Sequence, residues 1–431
     1  MVNLEKRNER IQRWLNPPIE FRDEAAKERY QASIKRFVDA VTMKVPDRVP
    51  VIIMGAFLVP SLYGLSPKKA MYDYAAVRDA FKKFLDEYDP DYALSPASVG
   101  SGRLLDLIQL RQYKWPGNGL ADNVGYQFVE GCYMRPEEYP WLMSDPSDFW
   151  IRGFLPRACG IFEFMKDLVP FTDLWEIVNY GGFFAMLGTE NVEAGFERLV
   201  KAGKEALKWV EYIRDFSFYA MCNGYPFVVG GITKAPFDIL ADTLRGTKEI
   251  FLDLYRRPDL VMEVARKLTP LAIAQGVRGA DRSGIPVVSI PLHKGSDEFL
   301  GNAQFEKFYW PSLKNLIEGL LAEGCIPHLF IEGSYDKKLE YLGELPKGSC
   351  FLHFEKTDIK KAKKEIGDKL CIGGGVPAIL LMEGAPHEVK EYCKDLIKFC
   401  GEGGGFVLAP AVALDAARGE NIRAMLEAAK E

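Results

Sequence analysis

The chain holds four histidines, and two of them, His293 and His353, stand at or near the ends of short apolar runs, as does Glu332. Imidazole nitrogen and carboxylate oxygen are zinc donors, and a catalytic zinc site takes three protein ligands and leaves one position open. If the runs at 285–290, 326–331 and 351–354 are parallel barrel strands, all three side chains gather at strand carboxyl ends, where such folds do their chemistry. His293, Glu332 and His353 are therefore candidate metal ligands, and Glu332 and His353 candidate catalytic residues. Each has a plainer alternative. Glu332 could bond a helix N-terminus, His353 could be a hydrogen-bonded core histidine, and Lys294 could be the working group beside His293. His328 has the strand parity of Phe330 and Glu332, which points it into the interior one layer deeper, as a structural residue. His387 begins a helix among charges and reads as surface.

Positioning such a set requires a repeated strand and helix alternation. After residue 190 the pattern is regular, with helical stretches near 190–217, 247–278, 303–323, 335–345, 358–368 and 386–400. They alternate with apolar runs at 226–231, 285–290, 326–331, 351–354, 371–375 and 406–408. Short apolar runs between helices predict a parallel sheet buried on both faces, and this many units favour a closed barrel. Earlier, 49–54 reads as a first strand, 67–87 as a helix and Tyr92-Ala93-Leu94 as the start of another unit. Residues 3–15 and 22–43 are charged and helical. The stretch 110–185 is rich in aromatic residues, Pro and Gly, and suits an insertion over a binding site. Within it Trp115, Tyr126, Phe128 and Trp150 are candidates to contact an aromatic ring.

The 431 residues, 48% hydrophobic with a net charge of −5, can bury a large core and offer no basic surface for nucleic acid;. No apolar run approaches membrane-spanning length, and Met1 to Arg7 is charged, so neither a membrane span nor a secretory signal is expected;. Eight scattered cysteines without a C-x-x-C pair read as reduced thiols of a soluble, cytoplasmic protein;. The lysine run at 360–364 is a solvated helix face, and Gly373-Gly374-Gly375 lacks the spacing of a phosphate loop.

Several motifs together resemble the uroporphyrinogen-decarboxylase-like superfamily. They are Pro46-Asp47-Arg48-Val49-Pro50-Val51, Cys371-Ile372-Gly373-Gly374-Gly375-Val376-Pro377, Gly384-Ala385-Pro386-His387-Glu388-Val389, Gly403 to Pro410 and Glu420-Asn421-Ile422-Arg423-Ala424-Met425. The resemblance spans roughly 44–426. It implies an α/β (β/α)8 TIM-type barrel over residues 44–431, with 1–43 as an N-terminal helical extension and an aromatic-rich insertion. True decarboxylases of the family grip porphyrinogen carboxylates with an Arg-Gln-Ala-Gly-Arg-Tyr stretch, and here 51–57 reads Val-Ile-Ile-Met-Gly-Ala-Phe. Members that methylate coenzyme M carry His-x-Cys-Gly plus a later Cys on zinc. Here Phe330 and Glu332 fall at the His and Cys positions, and Val412 near the later Cys.

The resemblance is nearer to the branch that serves aromatic O-demethylase systems, whose zinc ligands include Glu and His. It implies a zinc-dependent methyltransferase moving methyl from a methoxylated aromatic compound to the cobalt(I) of a corrinoid protein. No Asp-x-His-x-x-Gly module is present, so the corrinoid belongs to a partner protein. A homodimer fits the same expectation, and a methylcobamide-dependent enzyme with another donor or acceptor, or a decarboxylase-like protein, are the alternatives.

Overall fold

A computed structural model describes residues 2–431. Two helices open the chain, α1 (Leu4–Leu15) and α2 (Glu24–Val41), with the side chains of Asn3 and Asp23 accepting from first-turn backbone N–H groups;. Helix α3 (Tyr74–Tyr88) follows. The aromatic-rich stretch then forms a small sheet of β1 (Tyr113–Pro116), β2 (Gly119–Leu120) and β3 (Gln127–Phe128), followed by short helical segments, the longest running without a break over residues 146–158. It ends in α4 (Ile177–Leu187), which leads into the 33-residue α5 (Glu190–Cys222).

From there the chain builds one parallel sheet in strict sequence order, β4 (Gly231–Ile232), β5 (Val287–Leu292), β6 (Ile326–Ile331), β7 (Phe351–Phe354), β8 (Cys371–Val376) and β9 (Phe406–Pro410). Helices α6 (Pro258–Ser283), α7 (Trp310–Ala322), α8 (Ile359–Ile366), α9 (Pro386–Cys400) and α10 (Gly419–Ala428) cover its outer face. The strands are buried almost throughout because both faces are covered, which is why they read as continuous apolar runs;. Backbone bonds extend the sheet at both edges. Ile52 N donates to Leu408 O and Leu408 N to Pro50 O, each at 2.9 Å, and Ala93 N donates to Pro226 O at 2.9 Å. The α/β fold thus takes barrel order, with six regular strands and two extended segments.

Some expected elements are shorter than their patterns. The run at 226–231 yields only Gly231–Ile232 as strand, because this backbone lies against α6, where a Cβ on Gly231 would come within 2.6 Å of Gly276 O. The run at 49–54 forms an isolated bridge rather than a ladder. Pro50 has no N–H to give, and Val51 N donates to the Asp91 carboxylate at 3.0 Å;. The helix at 247–278 breaks at Arg257, where Pro258 starts α6;. Only Leu339–Leu342 of 335–345 is helical, since the side chains of Thr357, Ser334 and Asp297 accept the N–H groups of Tyr335, Asp336 and Lys337;.

The amino end of the barrel is closed. Trp14, Tyr30, Ile34 and Phe37 pack on Val287, Ile326, Phe351 and Cys371, the first residues of their strands. Phe37 meets Phe351 edge-on at 5.8 Å. Asp91 ties this plug to the first extended segment, accepting from Arg36 at 3.3 Å and from Arg48 at 2.9 Å while its side chain is 4% exposed. Removing it strands the Arg48 guanidinium and the Val51 N–H, while Arg36 keeps its pair with Asp47, so Asp91→Ala should cost about 3 kcal/mol in urea unfolding. A loss below about 1 kcal/mol, the scale of a surface pair, would show that Asp91 does not hold these elements.

Candidate active site

With the amino end plugged, an open cavity of about 620 Å³ lies at the strand carboxyl ends. Its floor comes from residues just past three strands: His293 and Lys294 after β5, Glu332 and Gly333 after β6, Glu355 and Lys356 after β7. Fully buried Asp238 sets the first of these turns. Its carboxylate accepts from the backbone N–H of His293 and Lys294, each at 3.0 Å, and from the Tyr309 hydroxyl at 2.8 Å. Burial, then the neighbouring Asp242, push the Asp238 carboxyl above its usual range.

Asp242 lies one helical turn beyond Asp238 and takes the other side of the histidine, 2.5 Å from His293 Nδ1. Lys234 Nζ stands 3.0 Å and Lys294 Nζ 3.6 Å from the same carboxylate. On the far side, His293 Nε2 is 3.5 Å from Glu332 Oε1, an ion-pair contact longer than a good hydrogen bond;. Burial alone would lower the imidazole, but the bonds to Asp242 and Glu332 outweigh it and push it up to about 10. At neutral pH His293 is a cation held between two carboxylates. Asp242 is correspondingly held low: burial raises it, and His293 and Lys234 more than compensate.

The wall above this floor is aromatic. Tyr113 and Phe128, edge-on at 5.4 Å, face the cavity from the small sheet, and Phe299 lines it under the Lys294 ammonium, 4.4 Å from the ring centroid. Gly333 turns the chain between Glu332 and the cavity at φ +77°, and a Cβ there would fall 2.7 Å from that of Ser296;. Its N–H donates to Glu355 at 2.6 Å.

Of the three sequence candidates, the structure brings His293 and Glu332 together and places His353 apart. His353 is fully buried, 4.9 Å from the ring of Phe330 and 5.9 Å from that of His328, and its Nε2 donates to Pro410 O at 2.8 Å. The register explains this. Phe330 pairs with His353, so His353 lies in the layer below Glu332, about 6–7 Å deeper, and the next inward residue of its strand, Glu355, reaches the cavity;. Of the aromatic candidates, Phe128 lines the cavity and Tyr126 supports Tyr113 edge-on at 5.9 Å. Trp115 is buried, its indole donating to Asp106, and Trp150 packs on Phe149 and Phe154.

Sequence reasoning missed Asp242, Lys234, Tyr113 and Phe299. Asp238 and Asp242, four apart and therefore on one helix face, were the available signal. For zinc, His293 Nε2 and Glu332 Oε1 present two donors, and the Asp242 carboxylate behind Nδ1 is the usual support for a metal-bound histidine;. Among the described residues, however, no three His, Cys, Asp or Glu side chains converge as a metal site. Two donors fall short of the three a catalytic zinc requires.

A profile of the uroporphyrinogen decarboxylase (URO-D) family matches residues 204–431. The match contains His293, Glu332 and Asp242 but not Tyr113 or Phe128. Uroporphyrinogen decarboxylases of Coxiella burnetii, from the Dugway and RSA 493 strains, are 26% identical over 237 residues, 53% of this chain and 63% of theirs. The chain thus spans less than two thirds of the length of these curated relatives. A methyltransferase from Methanosarcina mazei shares the fold with a TM-score of 0.58 at 15% identity, over 93% of this chain and 98% of that one. No helix among the described residues is long and apolar enough to cross a membrane.

Proposed function

The chain belongs to the uroporphyrinogen decarboxylase (URO-D) family, and from that premise we propose that it is a methyltransferase that demethylates a methoxylated aromatic compound onto the cobalt(I) of a corrinoid protein. The observation that carries this reading is His293, set between the carboxylates of Asp242 and Glu332 beneath the aromatic wall of Tyr113, Phe128 and Phe299. An aryl methyl ether resists cleavage because the phenolate is a poor leaving group. The corrinoid partner supplies the nucleophile for the methyl carbon. This chain supplies the rest: the rings seat the aromatic substrate, and His293 gives its Nε2 proton to the ether oxygen as the C–O bond breaks, so that the phenol departs neutral. Asp242 keeps the ring oriented and charged, and Glu332 faces the proton-bearing nitrogen. The open end of the barrel leaves room for a second protein to approach.

The assay is purified protein with reduced corrinoid protein and a panel of methoxybenzoates, scored by the free phenol released. Decarboxylation is the second reading, favoured by the Coxiella relatives. Against it, the cations lining the cavity are Lys234, Lys294 and Lys356 with no arginine, whereas porphyrinogen carboxylates are suited to bidentate arginine. Carbon dioxide release from uroporphyrinogen, with no phenol from any methoxylated aromatic, would reverse the assignment.

Phe128 is 46% exposed at the cavity wall and has little packing to lose. Phe128→Ala should raise the KM for the aromatic substrate roughly tenfold and leave kcat within about a factor of three, since stacking binds ground and transition states alike. An unchanged KM would place the ring elsewhere.

A further inference from the structure

The floor of the cavity does not close the barrel completely. On β4, Thr233 turns outward, its Oγ1 donating to Ala272 O of α6 at 2.8 Å, and Lys234 turns inward to line the cavity. Alternation along the strand therefore points Ile232 inward as well. A barrel interior is normally filled by stacked layers of side chains, yet Ile232 is 60% exposed. Register sets its depth: Ile232 pairs with Ser289, and Ser289 with His328. Pro291, Phe330 and His353 form the next layer up, and His293 and Glu332 stand above that. Ser289, Pro291 and Phe330 are only half-buried, whereas His328 and His353 are fully buried. The space beside Ile232 thus opens past Pro291 and Phe330 toward His293, about 13 Å of strand away. On β5, β6 and β7 these two layers carry no carboxylate, lysine or arginine, and burial holds both histidines neutral. Lys234 directs its ammonium up to Asp242, at 3.0 Å.

Resting on the demethylation proposed above, we infer that this lumen is a substrate subsite for an uncharged, apolar chain para to the methoxy group, with Ile232 at its base. Displacement at a methyl carbon runs in line, so the attacking group and the ring lie on opposite sides of the methyl. The amino end of the barrel is plugged, and the corrinoid protein approaches from the open end. With the ether oxygen at His293, the far end of the ring therefore points down, past Pro291 and Phe330 to Ile232. A carboxylate carried there would lose its water and meet no cation. An apolar chain instead covers Ile232, and both surfaces leave water. Acid groups ortho or meta to the ether stay higher, within the part of the cavity that Lys234 and Lys294 line. The substrate class is a methoxybenzene with a 4-alkyl chain, and three carbons reach from the ring toward Ile232.

Calorimetry on the full chain with the phenols such a reaction releases tests the subsite without any corrinoid protein. At about fourfold per buried methylene, 4-propylphenol should bind roughly 60-fold more tightly than phenol. The analogue 3-(4-hydroxyphenyl)propanoate, with a carboxylate at the same depth, should bind no better than phenol. Ile232→Trp fills the lumen and should abolish the propyl preference, and Ile232→Lys should turn the preference toward the acid. A ratio of two ligands on one preparation does not depend on how much of it is folded. Methyl transfer from 4-propylanisole and anisole, assayed beside binding, separates this inference from the reading it rests on. Equal binding of phenol and 4-propylphenol, or a preference that survives Ile232→Trp, overturns the subsite whether or not methyl moves. The expected preference, lost in Ile232→Trp, in a protein that releases no phenol from any ether upholds the apolar subsite and overturns the demethylation.

Discussion

Replacing His293 with Gln should lower the rate of methyl transfer roughly 10²- to 10⁴-fold, the range contributed by a positioned general acid. The substitution puts a neutral side chain of similar reach in place of the imidazolium just past β5. The turn beneath it survives, because Asp238 holds the backbone N–H of residue 293 rather than its ring. The fold should therefore be intact, and loss should fall on kcat more than on KM. Substrates with better leaving phenols, such as nitro-substituted anisoles, should lose less, since they need the proton least. The pH profile is an independent readout. With Asp242 and Glu332 raising His293 to about 10, the unaltered enzyme should keep its acid form through neutral pH and lose rate only as the pH nears that value. A His293→Gln enzyme with a near-normal rate on unactivated ethers would remove His293 from the chemistry. Zinc content measured beside these rates asks separately whether His293 and Glu332 carry metal.

The second large effect is on stability in acid. His328 and His353 are fully buried in the barrel interior, with His328 stacked on Phe351 at 4.8 Å and both its ring nitrogens without a protein partner. Burial, and then the neighbouring His353, push His328 down to about 3. Burial pushes His353 to about 4 despite its bond to the Pro410 carbonyl. Both groups have folded values below the ordinary 6.5, so between those limits the unfolded chain binds protons that the folded chain refuses. Their contribution is complete above pH 6.5 and is lost as pH falls toward 4 and then 3, at about 1.4 kcal/mol per pH unit for each histidine. Unfolding free energy measured in urea should therefore drop by several kcal/mol between pH 7 and pH 4. His328→Phe keeps the stack on Phe351 and removes two unpaired nitrogens. It should shift the acid transition to lower pH and leave the protein at least as stable at pH 8. An acid transition unmoved by His328→Phe would assign the acid lability to other groups.

Much of this molecule was legible in the chain. The strands at 326–331 and 351–354 stand at the expected residues because a parallel strand covered on both faces is apolar along its whole length, which no exposed element imitates;. Glu332 and His293 were legible for a related reason: a polar residue directly after such a run must lie at the carboxyl end, where the cavity is. The runs at 49–54 and 226–231 were legible as strands but their shortness was not, since Pro50 and the Gly230-Gly231 pair answer to partners far along the chain, Leu408 and α6.

The contents of the site were decided by register. A strand pattern reveals which side a residue faces but not its height against its neighbours. Only the pairing of Phe330 with His353 shows that His353 is one layer too deep and that Glu355 holds its place at the rim. Asp242, Tyr113 and Phe299 come from a helix, a small sheet and a loop that approach the cavity from three directions. The sequence by itself thus determined the layered α/β pattern and two residues of the floor, because burial writes itself into local composition. Tertiary structure decided the partners of His293, and with them its charge, because that charge depends on carboxylates brought within a few ångströms from separate segments of the chain.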